Sequence, residues 1–122
     1  MRGSQTFSKS ERLQHGYEFR RIYDTGRKVP GRFAVLYVLE SPGDSAPRRA
    51  LGVVTGRRLG NAVVRNRARR LVREAYRLNK ARLKENIQLV IVARSAINGK
   101  RLADVERELM GQFAAAGLVK RD

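Results

Sequence analysis

Apolar positions along this chain of 122 residues change their spacing several times, and each change marks an element. Between Phe7 and Gly26, the residues Leu13, Phe19, Ile22 and Tyr23 fall on one face of a short helix that Gly26 is suited to stop. Pro30-Gly31 marks a turn. Arg32 to Glu40 (RFAVLYVLE) is rich in aromatic and β-branched residues and reads as a strand. Its apolar side chains fall on both parities, so both faces are expected to be covered. Ser41 to Arg49 (SPGDSAPRR) is expected to form a loop between hairpin-like strands, the second being Ala50 to Gly56 (ALGVVTG). A longer helix is predicted from about Asn61 to Ala81, with Asn61 as its N-cap. Ile87 to Ala93 (IQLVIVA) is a buried strand, and Leu102, Val105, Leu109 and Phe113 mark a last amphipathic helix that Gly117 can cap. The order α-β-β-α-β-α predicts an α+β fold, a two-layer α/β sandwich around a small mixed sheet. One domain is expected over residues 1–122, with 1–10 and 118–122 as flexible ends.

Projected at about 100° per residue, the central helix divides sharply. Val64, Ala68, Leu71, Val72, Ala75 and Leu78 share one side; Arg65, Asn66, Arg69, Arg70, Arg73, Arg77 and Lys80 share the other, with Arg67 and Glu74 on the flank. The stretch Arg57 to Arg73 (RRLGNAVVRNRARRLVR) holds seven arginines and no acidic residue. Arg65, Arg69, Arg73 and Arg77 recur at i, i+4, where like charges destabilise an isolated helix by a few tenths of a kcal/mol, roughly, per pair. Folding alone gives no reason to accumulate that penalty, whereas a nucleic-acid backbone relieves it. Arg57 and Arg58 precede the cap, so a phosphate near Gly60-Asn61 would meet unpaired N–H groups, helix dipole and guanidinium together.

Composition agrees with that reading. The formal net charge is +16, and arginines outnumber lysines 21 to 6. A chain this basic normally serves a polyanion, and planar guanidinium suits phosphate and base contacts. With 42% hydrophobic residues the chain is not compositionally disordered. There is no cysteine, which excludes disulfides and thiolate metal sites. No apolar run approaches the roughly 18 to 20 residues of a membrane span. Met1 to Ser10 has no apolar core of a secretory signal, so a cytoplasmic protein is expected.

Catalytic groups are scarce. His15 is the one histidine, and the eleven carboxylates are scattered. Asp104, Glu106 and Glu108 alternate near a helix start, where they do not share a face and suit the dipole. Without a phosphate loop or a nucleophile–base pair, neither a catalytic residue nor a metal site is expected. Tyr17, Phe19, Tyr23, Phe33 and Tyr37 all lie in the first third of the chain. They suit a hydrophobic core, or a groove in which single-stranded RNA stacks its bases. Phe19 and Tyr23 share a helix face, and Phe33 and Tyr37 share strand parity with Val35.

The run GNAVVRNRARRLVRE, with Arg65-Asn66-Arg67 at its centre, resembles the signature of the bacterial ribonuclease P protein family, the protein subunit of the ribozyme that matures the 5′ end of transfer RNA. LGVVTGRRLGNAVVRNR, LVIVAR ending in Arg94, EFRRIYDTG and RFAVLY extend the similarity in register over roughly Glu11 to Phe113. Arg57 and Arg58 stand where the family often has lysine, and Gly56 where a small side chain is usual. The resemblance implies a left-handed β-α-β crossover. It also implies two partners, the ribonuclease P RNA and the 5′ leader of precursor tRNA, with no membrane or obligate protein partner. The first would be bound by Arg57, Arg58, Asn61, Arg65, Asn66, Arg67, Arg69, Arg70 and Arg73. The leader would be held by Phe19, Tyr23 and Tyr37 with Arg12 and Arg32 as phosphate partners. Catalysis would belong to the RNA and to Mg2+ held mainly by the RNA and substrate. A ribosomal or other structural RNA-binding protein is the alternative. A DNA-binding regulator is disfavoured by the lack of a helix-turn-helix order, and a membrane-surface helix by the absence of aromatic anchors on the apolar face.

Overall fold

The continuous apolar run Ile87–Ala93 dictates the architecture, because a strand without a polar face must be covered on both sides and flanked on both edges. A computed structural model describes residues 11–40 and 49–120. The elements are α1 (Gly16–Thr25), β1 (Arg27–Pro30), β2 (Ala34–Glu40), β3 (Arg49–Val54), α2 (Ala62–Asn79), β4 (Ile87–Ala93) and α3 (Leu102–Ala115). The sheet order is β1-β2-β4-β3. β4 runs antiparallel to β2 and parallel to β3, so β3-α2-β4 is a parallel crossover unit.

One strand parity (Leu36 and Val38, Leu51, Leu89 and Ile91) packs beneath α2 and α3, against Ala68, Val72, Tyr76, Val105, Leu109 and Phe113. The other parity (Tyr37, Ala50, Val90) meets Phe19 and Ile22 of α1 and Leu13 in the segment before it. The α+β sandwich therefore has two helices on one face. A single short helix crosses the opposite face, and Val35, Tyr37, Val54 and Val92 stay only partly buried there. Asn61 caps α2 as expected, its Oδ1 accepting the Val64 N–H at 3.0 Å.

Several expectations are corrected. β2 and β3 do not form a hairpin: β4 lies between them, because its two apolar faces require the central place. Most of the Ser41–Arg49 loop lies outside the described residues. A fourth strand, β1, was missed because Arg27–Pro30 is short and largely exposed; it is an edge strand ending in proline. Phe33 and Tyr37 do not share a face. Phe33 precedes the paired strand at a bend and turns into the α2–α3 core, while Tyr37 faces α1. Lys80 is not on the outer face of α2. The 3-10 turn Lys80–Arg82 draws it inward to an ion pair with Glu11, with its side chain 4% exposed.

Residues 1–10, 121 and 122 lie outside the described residues, but Leu118 to Lys120 is not a loose end. Gly117, at φ +76°, closes α3 with Leu118 N–H on Phe113 O and its own N–H on Ala114 O. This buries Leu118 and pairs Val119 with Leu83.

Candidate nucleic-acid interface

Burying Ala68, Val72 and Ala75 turns the opposite side of α2 outward. Asn66 and Arg70 are exposed there, while Arg65, Arg69 and Arg73 are half-buried. Arg69 is held in place: one terminal nitrogen donates to Asn66 Oδ1 at 2.8 Å and the other to the hydroxyl of Thr55, just beyond β3. Arg65 keeps its Nε out of water without a hydrogen-bond partner among the described residues. Arg67 leaves this group. Its guanidinium donates to Lys100 O at 2.7 Å, tying α2 to the segment that enters α3.

Arg12 closes the far side of this surface. The segment leading into α1 runs beside β3, with Leu13 N–H donating to Leu51 O at 3.0 Å and Arg12 bridged to Leu51. Arg12, Asn66, Arg69, Arg70, Arg73, Glu74 and Arg77 then line an open depression of about 350 Å³. Burial first, and then the charges of Arg12 and Arg69, push the Arg73 pKa below its ordinary value. A guanidinium does not lose its proton in a protein, so this crowding persists as repulsion that an anion in the depression would relieve. At one end Glu74 accepts two hydrogen bonds from Arg77, which hold its carboxyl below the usual range and offset that guanidinium.

Arg57 and Arg58 project from the 3-10 turn Arg57–Leu59, directly before the α2 N-terminus. Buried Leu59 anchors the turn, and Asn98 Nδ2 donates to Leu59 O at 2.9 Å. Gly60 links turn to helix at φ +144°, where a side chain would be strained and its Cβ would stand 3.1 Å from Val64.

The aromatic side chains expected to form a cleft lie where α1 crosses the sheet. Lys28, Tyr37, Val90 and Gly52 form one row across β1, β2, β4 and β3. Phe19 lies on Gly52 so closely that a Cβ there would come 2.4 Å from its Cε2. Tyr23 meets Tyr37 edge to face, with centroids 4.8 Å apart and planes at 81°. Burial, then the neighbouring Tyr37, pushes the Tyr23 hydroxyl above its ordinary pKa, so it remains a neutral donor.

Phe19, Tyr23 and Tyr37 thus come together. Arg12 and Arg32 do not join them as a pair, since Arg12 belongs to the depression beside α2. Arg32 lines a separate hollow with Phe33, Lys100, Asp104, Arg107 and Glu108. The cation at the cleft edge is instead Lys28, with Nζ 6.0 Å from the Tyr37 centroid. It was not foreseen because β1 was not. Thr55 and Gly52 were missed as well. Each acts through a tertiary neighbour and leaves no mark in spacing.

The carboxylates near α3 have separate tasks. Asp104 accepts the Arg101 N–H at 3.1 Å, Glu106 accepts from Asn79 Nδ2 at 2.7 Å, and Glu108 receives the N–H groups of Arg32 and Phe33. Among the described residues no three His, Cys, Asp or Glu side chains gather as a metal site. No helix of the described residues is long and apolar enough to cross a membrane.

Comparison with known proteins bears on this arrangement. The family model described as Ribonuclease P matches residues 7–117. A ribonuclease P protein component of Clostridium acetobutylicum is 40% identical, over 93% of this chain and 95% of that one. The protein of the same name from Symbiobacterium thermophilum is 37% identical, over 93% and 97%. Among solved structures, the RNase P protein of Staphylococcus aureus superimposes with a TM-score of 0.81 at 25% identity, covering 92% of this chain and all of that one. The Thermotoga maritima protein gives a TM-score of 0.73 at 25% identity, over 83% and 93%.

Proposed function

The chain belongs to the ribonuclease P protein family, and on that footing we propose that it works as an adaptor between two RNAs, the catalytic RNA and the precursor tRNA. Membership makes it a protein subunit of an endoribonuclease that processes tRNA, with the ribonuclease P RNA as partner. In our reading the catalytic RNA lies on Arg57, Arg58, Asn61, Arg65, Asn66, Arg69, Arg70 and Arg73, with Arg67 bracing the helix that carries them. The 5′ leader lies in the cleft of Phe19, Tyr23 and Tyr37, its bases on the rings and its phosphates near Lys28 and Arg12.

One observation carries this reading: Arg12 and Leu13 bind β3 backbone between the two surfaces. A single short segment thereby places the guanidinium depression and the aromatic cleft on either side of itself. Two polyanions can be held side by side there while the protein's charge screens their repulsion. The chain supplies position and charge. Mg2+ on the RNA and substrate supplies the hydrolytic chemistry when bound.

The test is reconstitution with a ribonuclease P RNA at low Mg2+, measuring removal of the 5′ leader. The protein is expected to raise the rate strongly under those conditions. Equal activity from RNA alone would refute the reading. The structural RNA-binding alternative predicts tight RNA binding but no preference for precursor over mature tRNA.

A further inference from the structure

The outer side of α1 carries aromatic and cationic groups that the cleft does not use. Ile22 is the buried residue of this helix; Tyr17 and Arg20 are exposed on the side turned away from it, and Arg21 is exposed on the flank. Tyr17 is 68% exposed, far more than folding of a tyrosine requires. Its ring lies parallel to that of His15, with centroids 5.2 Å apart and planes at 7°. The pair is pre-set by the helix start: Glu18 Oε1 accepts the N–H groups of both Gln14 and His15, at 2.9 and 3.0 Å. Arg20 follows Tyr17 by three residues, one turn along the same side.

The geometry points to His15 and Tyr17 as a second stacking platform, outside the cleft, for one unpaired base of single-stranded RNA. Arg20 is placed to take an adjoining phosphate. The two exposed rings are already stacked on one another, so adding a base to the pair orders little further. The charge of the chain selects a polyanion over an apolar peptide. Phe19 in the cleft is only two residues from Tyr17, so a strand leaving the cleft around the start of α1 reaches the platform within a few nucleotides. The inference rests on the leader-binding reading above and extends the bound strand beyond the cleft.

The experiment uses the full chain assembled with a ribonuclease P RNA and precursor tRNAs whose leaders are lengthened one nucleotide at a time. Tyr17→Ala is expected to leave short-leader affinity unchanged and to lower affinity by about fivefold or more once the leader reaches the platform, the scale of one lost base–ring stack. Tyr17→Phe keeps the ring and is expected to keep the affinity. A 2-aminopurine at the platform nucleotide should be quenched by the native chain and not by Tyr17→Ala. If Tyr17→Ala binds every leader like the native chain while Phe19→Ala loses leader affinity, the platform is refuted and the cleft stands. If neither variant distinguishes leader lengths, both readings fall. If Tyr17→Ala weakens binding of the catalytic RNA alone, the occupant is not the leader and the inference is overturned.

Discussion

At the scale of single residues, shape and charge at a few positions set the site. Gly52 has no side chain because Phe19 occupies that space. Gly52→Ala forces a methyl into ring atoms at 2.4 and 2.5 Å, so Phe19 must leave its seat. Overpacking of this kind costs about 1–3 kcal/mol. Urea unfolding should show that loss, and affinity for precursor tRNA should fall more than affinity for mature tRNA. Lys80 and Glu11 are a second case. Their ion pair anchors the segment that carries Arg12, with side chains 4% and 18% exposed. Lys80→Met removes the buried ammonium that faces the Glu11 carboxylate and should destabilise the fold by about 2–3 kcal/mol, at or below the lower end for a fully buried pair because Glu11 retains some solvent. Adding Glu11→Leu should recover most of it, since two apolar groups can replace a buried pair at little cost. A double-mutant cycle in urea measures both.

At the scale of elements, α2 separates its two duties by side. Changing Arg65 and Arg69 to Ala leaves Ala68, Val72 and Ala75 in the core, so the fold should persist. The salt dependence of catalytic-RNA binding should flatten by about one to two units of log–log slope. An unchanged slope in a filter-binding titration would remove that side of α2 from the docking surface. Thr55→Val is a milder counterpart. It removes one of the two anchors of Arg69 without removing charge and leaves the bond to Asn66, so affinity should drop while the slope stays the same.

The division of α2 was legible in the sequence because a 3.6-residue period and its caps are local properties. Asn61 as N-cap and Gly117 as helix terminator were readable for the same reason. Strand order was not. The apolar run of β4 marks a strand covered on both faces, but which strands flank it depends on competition among three apolar strands for two helical layers, which no single segment reveals. The short polar β1, and with it Lys28, exists only because β2 offers it a free edge. The aromatic cleft was half legible: the i, i+4 pair Phe19 and Tyr23 was readable, but parity wrongly added Phe33 to the Tyr37 face. Alternation holds only inside a paired strand, and Phe33 stands at the bend before it.

At the scale of the whole molecule, a net charge of +16 must be held together without its RNA. Repulsion acts where Arg12 is brought up to Arg69 and Arg73: burial first, and then these two charges, lower the Arg73 pKa. Docking the first segment on β3 therefore works against charge, and a multivalent anion in the depression should favour the docked state. Sulfate is expected to raise Tm more than sodium chloride at matched ionic strength. An anion at a hundred times its Kd contributes about 2.7 kcal/mol, whereas screening alone treats the two salts alike. The Arg12→Ala variant separates local crowding from net charge. It lowers the total charge by only one in sixteen, yet it removes the guanidinium that closes the depression. If crowding at this place is what opposes folding, Arg12→Ala should lose much of the sulfate increment, while an exposed arginine elsewhere, such as Arg107→Ala, should keep it. Equal increments in both variants would assign the anion effect to net charge and not to the depression beside α2.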